Sequence, residues 1–291
     1  LALLGMQSAS LLPAANVNPE ASLPRAAPAM VYHRIRYTND KFEYALAFEL
    51  QATTAQEAVY HSLIAHDICA NLSIAGLCTI DEEVAEQLAY VQLPTLSMIE
   101  SLPQKTEEST ANPSENVILR CISESFSAFQ RRFHIPIDIL QSYKWHSQGI
   151  CIVTSGSYVH RALELCEALE AFGINCALLK ICLINPFPTS DVKKLLAQQK
   201  QIIVIGDSSL ADQSIVLSGV RESLYELEKK PLLHYIYGQD PRLINNFSLL
   251  LNLSAADLDA KMQAPKVLAK HRINIGAAPA GSLARGFLLD I

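Results

Sequence analysis

Four small polar residues stand where an apolar strand pattern gives way to a helical one. Residues 150–153 are continuously apolar, Thr154, Ser155, Gly156 and Ser157 follow, and a helical pattern starts at residue 158. Backbone N–H groups at a helix start attract negative charge, so these four residues are candidates for binding a phosphate or carboxylate. The favoured alternative is an ordinary helix start, because neither a Walker sequence nor G-x-G-x-x-G is present.

A second polar loop follows the next predicted strand of the same type. It reads Gly206-Asp207-Ser208-Ser209. A G-D-G opening with a downstream Asn would bind Mg²⁺ and a diphosphate, but here Ser208 stands in place of the second glycine. We therefore interpret this segment as a strand-end loop without a diphosphate.

Two arginines alternate along a strand predicted over residues 31–37. Side chains of a strand point to opposite faces in turn, so Arg34 and Arg36 share one face and His33 lies on the other. Two guanidinium groups on one face suit a carboxylate. A solvated edge strand is the competing interpretation, and we favour it.

Metal and nucleophile chemistry have little support in the spacing. No two cysteines form C-x-x-C, which argues against iron–sulfur and zinc sites. His61 and His66 are five residues apart and so miss the H-x-x-x-H helix face; we expect satisfied or partly exposed histidines. We predict no catalytic residue and no metal ligand in this chain. The seven cysteines are Cys69, Cys78, Cys121, Cys151, Cys166, Cys176 and Cys182.

Composition narrows the class of protein further. With 23 Lys+Arg against 29 Asp+Glu, the net charge of −6 argues against nucleic-acid binding. No apolar run reaches the length of a membrane span, and an odd number of unclustered cysteines suits a reducing compartment. We therefore expect an intracellular protein. A cytoplasmic location is favoured and a mitochondrial one is the alternative. Residues 1–30 hold a single basic residue, whereas a mitochondrial targeting segment normally carries several arginines.

The predicted elements that position these loops alternate between strand and helix. From residue 149 the alternation has a pitch of about 25–30 residues, and the strands are apolar throughout, as in a parallel sheet covered on both faces. The pattern predicts an α/β fold with an open doubly wound sheet, including one long strand over 174–184 and a helix over 212–227. Upstream, Thr54 to Glu57 fits a capping box before a helix, and a further helix is predicted over 81–90.

Several segments resemble a known family. GICIVTSGS from Gly149, ALELCEAL from Ala162, LLKICLINPFP from Leu178 and QIIVIGD from Gln201 resemble the transketolase C-terminal-like domain of thiamine-dependent 2-oxoacid enzymes. Residues 48–69 are similar to the second half of the pyrimidine-binding domain in the pyruvate:ferredoxin oxidoreductase family. That family includes a degenerate form in the sulfite reductase flavoprotein.

The resemblance implies a chain with incomplete machinery. The family's pyrimidine-domain Glu would lie before Leu1, and its D-G-F-R-x-S-H-E stretch reads AGLCTIDEE over residues 75–83, without the Arg and His. The family's H-V-x-A-R stretch has a distant counterpart in residues 33–36, which makes Arg36 a candidate contact for a substrate carboxylate. We expect no cofactor to be bound by this chain alone, with thiamine diphosphate and Mg²⁺ held at an interface with a partner.

The resemblance also predicts the organisation and role of the chain. We expect a non-catalytic or incomplete module of a 2-oxoacid redox enzyme, inactive alone, that packs against other subunits or domains in an oligomer. The alternative is a degenerate structural module of a larger redox assembly such as a sulfite reductase flavoprotein. The predicted regions are an irregular N-terminal segment (1–30), a partial thiamine pyrimidine-domain-like α/β region (31–93), a linker (94–114), a connecting helix (115–147), a transketolase C-terminal-like domain (148–270) and a C-terminal tail (271–291).

Overall fold

The computed structural model describes residues 14–16, 30–36, 46–93, 95, 113–146 and 148–263. In chain order the elements are β1 (Ala14–Asn16), β2 (Val31–Arg36), β3 (Phe48–Ala52), α1 (Ala55–Leu72), β4 (Gly76–Asp81), α2 (Glu82–Ala85), α3 (Glu115–Phe133), β5 (Leu140–Tyr143), β6 (Ile150–Thr154), α4 (Tyr158–Glu170), β7 (Cys176–Ile181), β8 (Leu183–Asn185), α5 (Thr189–Leu196), β9 (Gln201–Gly206), a 3₁₀ turn (Ala211–Gln213), α6 (Ile215–Leu224), β10 (Leu232–Tyr237), α7 (Leu243–Leu251) and α8 (Ala255–Gln263). The predicted tail lies outside the described residues. So do the predicted N-terminal segment and linker, apart from residues 14–16, 30, 95, 113 and 114.

The chain divides into two compact units. Among the described residues, unit 1 holds those up to Ile139 together with Cys182–Pro186, and unit 2 holds Leu140–Ile181 and the residues from Phe187 onward. The chain thus leaves unit 2 for a short stretch and adds strand β8 to unit 1. None of the described helices combines the length and apolar character needed to cross a bilayer.

Unit 1 is built on a sheet of strand order β1-β2-β4-β3-β8. Its pairings are parallel except for β8, which runs antiparallel to β3. Helix α1 packs on β3 and β4, and α3 packs on α1. The Tyr60 and Phe129 rings lie 5.7 Å apart in this helix pair, so aromatic side chains form much of its buried interface.

Helix α1 begins at the predicted capping box. The Thr54 hydroxyl accepts a hydrogen bond from the Glu57 N–H at 3.1 Å, as expected for an N-cap residue. The carboxylate of Glu57 reaches back to the N–H of Thr53 rather than to that of Thr54, at 2.7 Å. The cap therefore confirms the predicted helix start and fixes one Glu57 oxygen.

Unit 2 is an open sheet of strand order β10-β9-β6-β7-β5. The three pairings that link β10, β9, β6 and β7 are parallel, and β5 runs antiparallel at the edge. Helices α4, α7 and α8 share a buried apolar cluster with these strands, and α5 packs on α6. The predicted α/β fold with a doubly wound sheet is confirmed.

Several predicted elements differ from the observed ones. The apolar run 174–184 forms two strands, β7 and β8, which belong to different sheets. The predicted helix over 81–90 is reduced to the four residues of α2, because residues 85–90 are exposed and bury no apolar face. Helix α6 starts at Ile215 rather than at Asp212, after the 3₁₀ turn.

Candidate functional site

The carboxyl ends of β6 and β9 meet at the centre of the unit 2 sheet. From β6 the chain passes to β7 on one side, and it later returns to form β9 on the other side. Ligands of open α/β sheets bind where the strand order reverses in this way, because the adjacent loops leave in opposite directions. The loops that leave here are 154–157 and 206–209, so the structure brings the two predicted strand-end loops together.

The Thr154 hydroxyl forms a hydrogen bond within the sheet, at the carboxyl end of β6. The side chain is fully buried, and Oγ1 donates to the carbonyl oxygen of Ile205 at 2.9 Å. Gly156 has a left-handed backbone with φ of 61°, and the Ser157 side chain does not cap α4. Anion binding by Thr154, Ser155, Gly156 and Ser157 stays a prediction, with the Thr154 hydroxyl already bonded to the neighbouring strand.

The second loop is closed by an aromatic side chain. The Tyr235 hydroxyl donates to the carbonyl oxygen of Ser208 at 2.5 Å. A Cβ atom on Gly206 would lie 2.6 Å from the Tyr235 ring and 2.7 Å from Ser214 Oγ. Burial raises the pKa of Tyr235, so the phenol stays protonated and keeps this hydrogen bond at neutral pH.

Thiamine diphosphate, which the family resemblance implies, would meet side chains of the chain itself at the loop of residues 206–209. Tyr235 and Ser214 of the same unit fill the space beside the Gly206 backbone. A diphosphate bound against Gly206 would have to displace them.

Arg36 lies at the carboxyl end of β2 in unit 1. Its Nη1 donates to Gln51 Oε1 at 3.3 Å, and Gln51 Nε2 donates to Asp81 Oδ1 at 2.8 Å. The three side chains form a chain of hydrogen bonds along the ends of β2, β3 and β4. A substrate carboxylate at Arg36, which stays a prediction, would have to share the guanidinium with this internal network.

The edge-strand interpretation of residues 31–37 is wrong. Strand β2 pairs with β1 on one side and with β4 on the other. The Arg34 side chain is only 6% exposed, whereas Arg36 is half-buried at the strand end. Two arginines in one strand suggest a solvated edge, and a short flanking strand such as β1 leaves no apolar signal in the sequence to show otherwise.

Three chemically reactive side chains meet in the interior of unit 1. Glu57 Oε1 lies 4.0 Å from His61 Nε2 and 3.8 Å from Cys182 Sγ, and all three residues are fully buried. We call them the Glu57 cluster. The spacing of Glu57 and His61 is a signal in the sequence, but Cys182 lies 125 residues beyond Glu57 and carries none.

Two further histidines of unit 1 lie outside the Glu57 cluster: His66 is buried and His33 is half-buried. His33 and His66 interact electrostatically, and burial is the main cause that lowers the pKa of each to about 4. His33 Nδ1 lies 3.5 Å from Ser62 Oγ. Both rings are neutral at pH 7, and the expectation of partly exposed histidines is wrong for His61 and His66, which are buried.

Comparison with protein families gives a match within unit 2. Residues 149–246 match the family model described as pyruvate:ferredoxin oxidoreductase core domain II. These residues include β6, β9 and both strand-end loops. This part of the chain is therefore similar to that core domain. The resemblance predicted from the sequence is thereby confirmed.

Two curated relatives of this chain are pyruvate synthase subunits. Subunit PorA of Thermotoga maritima is 25% identical over 126 residues, which cover 43% of this chain and 32% of the relative. Subunit PorA of Pyrococcus furiosus is 22% identical over 166 residues, which cover 53% of this chain and 42% of the relative. The matched region therefore spans less than half the length of either relative.

Two solved structures are similar to this chain. The 2-oxoglutarate:ferredoxin oxidoreductase from Magnetococcus marinus, solved with 2-oxoglutarate, coenzyme A and succinyl-CoA, has a TM-score of 0.51 at 12% identity and covers 88% of this chain and 55% of its own. A split-gene transketolase, solved as an inactive β4 tetramer, has a TM-score of 0.43 at 12% identity over 80% of this chain and 65% of its own. The first match shows a shared α/β fold.

Proposed function

We propose that this chain is a non-catalytic or incomplete module of a 2-oxoacid oxidoreductase. The observation that carries the proposal is that core domain II coincides with a sheet whose strand-end loops are closed by the chain's own side chains. Thr154 is bonded to Ile205, and Tyr235 is bonded to Ser208. A domain built in this way supplies packing and an interface rather than reacting groups.

Unit 1 supports the same proposal. The stretch over residues 75–83 resembles a functional stretch of the family but has no Arg and no His. In the structure it forms β4 and the start of α2, and Asp81 accepts a hydrogen bond from Gln51. The polar groups at this edge are thus engaged with one another.

The names of the curated relatives indicate the kind of partner in the proposed assembly. The curated relatives are named as subunits, so we propose that other subunits or domains complete the enzyme. In this proposal, those partners hold thiamine diphosphate and Mg²⁺, and the assembly is an oligomer. All seven cysteines are free thiols, which supports a location in a reducing compartment inside the cell.

Turnover by the isolated chain tests the proposal directly. The purified protein is mixed with thiamine diphosphate, Mg²⁺, coenzyme A, pyruvate or 2-oxoglutarate, and a viologen acceptor. We expect no viologen reduction above a protein-free blank. Sustained reduction that depends on thiamine diphosphate would contradict a non-catalytic role.

The mass of the native complex tests whether the chain forms an interface with other subunits, as proposed. We expect the chain to be isolated from its source with further polypeptides that carry a G-D-G motif and C-x-x-C clusters. A chain that purifies alone as a monomer would contradict an interface role. A complex whose other chains are a flavoprotein without thiamine motifs would support the alternative, a degenerate structural module.

A further inference from the structure

We propose that Glu57, His61 and Cys182 bind a zinc ion that links helix α1 to the segment between β7 and β8. The three residues supply one oxygen, one nitrogen and one sulfur atom. These ligand atoms all lie within 4.8 Å of one another. Zinc sites in proteins use this mixed set of carboxylate, imidazole and thiolate ligands.

The distances are close to those of a tetrahedral site. Zinc–ligand bonds of about 2.0–2.3 Å place neighbouring ligand atoms roughly 3.3–3.8 Å apart. Glu57 Oε1 lies 3.8 Å from Cys182 Sγ and 4.0 Å from His61 Nε2. The third pair, His61 and Cys182, has its ligand atoms within 4.8 Å of each other, so side-chain shifts of up to about 1 Å would complete the geometry. Glu57 and His61 are four residues apart, the spacing that aligns two ligands on one helix face.

The ligands are held in place by neighbours. The second carboxylate oxygen of Glu57 accepts a hydrogen bond from the Thr53 N–H at 2.7 Å, which fixes the orientation of the group. The backbone of Cys182 is bonded on both sides, to Ile139 and to Gln51. The His61 ring packs edge-on against Phe126 with centroids 5.8 Å apart. Ligands with so little freedom lose little entropy when an ion binds.

Charge selects the type of ion. In the metal-free protein the Cys182 thiol donates to Glu57 Oε1, and zinc binding would release that proton to solvent. The resulting thiolate and the Glu57 carboxylate would carry two negative charges in a buried site, which a divalent cation neutralises. Mg²⁺ and Ca²⁺ prefer oxygen ligands throughout, whereas zinc accepts oxygen, nitrogen and sulfur together. With three protein ligands, a water molecule would take the fourth position.

Zinc titration of the full-length chain, after removal of metal with a chelator, tests this proposal. We expect one zinc per chain by mass spectrometry of the metal content. Cobalt in place of zinc should give a sulfur-to-cobalt charge-transfer band. Cys182→Ser should abolish that band and weaken zinc binding at least about tenfold. The control is Cys69→Ser, because Cys69 is buried in the same unit and lies outside the Glu57 cluster; it should keep both signals.

X-ray absorption of the zinc-loaded wild type gives a result that does not depend on the folding of a variant. We expect one sulfur and at least one imidazole nitrogen around the ion. A wild-type chain that binds no zinc at micromolar free zinc would overturn the proposal. So would a zinc shell with two sulfurs, which would point to other cysteines, or full zinc binding by a folded Cys182→Ser variant. None of these results depends on whether the chain turns over a 2-oxoacid.

Discussion

Thr154 shows how a residue suited to a ligand is used by the fold itself. Its hydroxyl is buried and donates to the Ile205 carbonyl oxygen in the adjacent strand. Thr154→Val keeps the shape of the side chain but leaves that buried carbonyl without this donor. We expect a loss of about 1–2 kcal/mol in the free energy of unfolding, measured by urea denaturation. Thr154→Ser keeps the hydroxyl and is the matched control; equal losses in both variants would contradict the role of the bond.

His33 and His66 make the stability of the protein depend on pH. The folded pKa of each is about 4, below the ordinary value of 6.5, because burial disfavours the charged ring. Between these values the unfolded chain binds protons that the folded chain does not. The free energy of unfolding should therefore rise from pH 4 to pH 6.5, by up to about 1.4 kcal/mol per pH unit for each ring.

Urea denaturation at several pH values measures this slope. His66→Gln removes one titrating ring and should make the slope between pH 4.5 and 6.5 shallower. The control is His134→Asn, because His134 is exposed and Asn accepts its left-handed backbone. A His66→Gln slope equal to that of the wild type would show that His66 does not stay neutral in the folded protein.

Gly76 is required by a close approach in the unit 1 sheet. It pairs with Phe48 in the neighbouring strand, and a Cβ atom on Gly76 would collide with the Phe48 ring. Gly76→Ala should lower the free energy of unfolding by about 1–3 kcal/mol. Phe48→Leu makes room, so the double variant should lose less than the sum of the two single variants. A strictly additive result in the same denaturation assay would contradict the collision.

At the scale of elements, helix α1 ends on an unfavourable residue. Ser73 stands at its C-cap with φ of 52°, a left-handed conformation that glycine adopts without cost. We expect Ser73→Gly to raise the free energy of unfolding by about 0.5–1 kcal/mol, seen as a higher thermal midpoint. Ser73→Ala should bring no gain, and a gain of equal size with alanine would point to a cause other than the backbone.

The strand and helix alternation of unit 2 was predictable, and some of its details were not. Strands β6, β7 and β9 are buried on both faces, so their apolar runs stand out in the sequence. Burial on both faces also makes the end of β7 impossible to read from the sequence. The apolar run continues into β8, and nothing in it shows that its two halves join different sheets. Strand β5 is mostly half-buried and mixed in composition, so its pairing with β7 leaves no periodic signal.

The candidate sites show a similar limit. Both strand-end loops were found because polar turns after apolar strands are local signals. The Glu57 cluster was missed because its third member comes from a segment far along the chain. The closing role of Tyr235 was missed for the same reason, since Ser208 lies 27 residues before it. Contacts set by strand pairing are invisible until the order of strands is known.

At the scale of the whole molecule, the start of unit 2 decides which fragment is stable. Strand β5 covers one edge of β7, and a fragment that begins at residue 148 lacks it. We expect the fragment 140–263 to have a higher thermal midpoint than the fragment 148–263, because the shorter one exposes the edge of a buried strand. Circular dichroism melts of both fragments measure the difference. Identical midpoints would show that β5 adds nothing to the unit.

The five residues Cys182–Pro186 impose an order on how the protein is made. Strand β8 completes the unit 1 sheet by pairing with β3. Glu49 in β3 therefore has no strand partner on this side until Asn185 has been synthesised. While the ribosome extends the chain, one side of β3 stays uncovered until more than 130 further residues have been synthesised. The first strands of unit 1 are synthesised long before its last strand, β8. During that interval the unpaired edge of β3 exposes the nascent chain to aggregation.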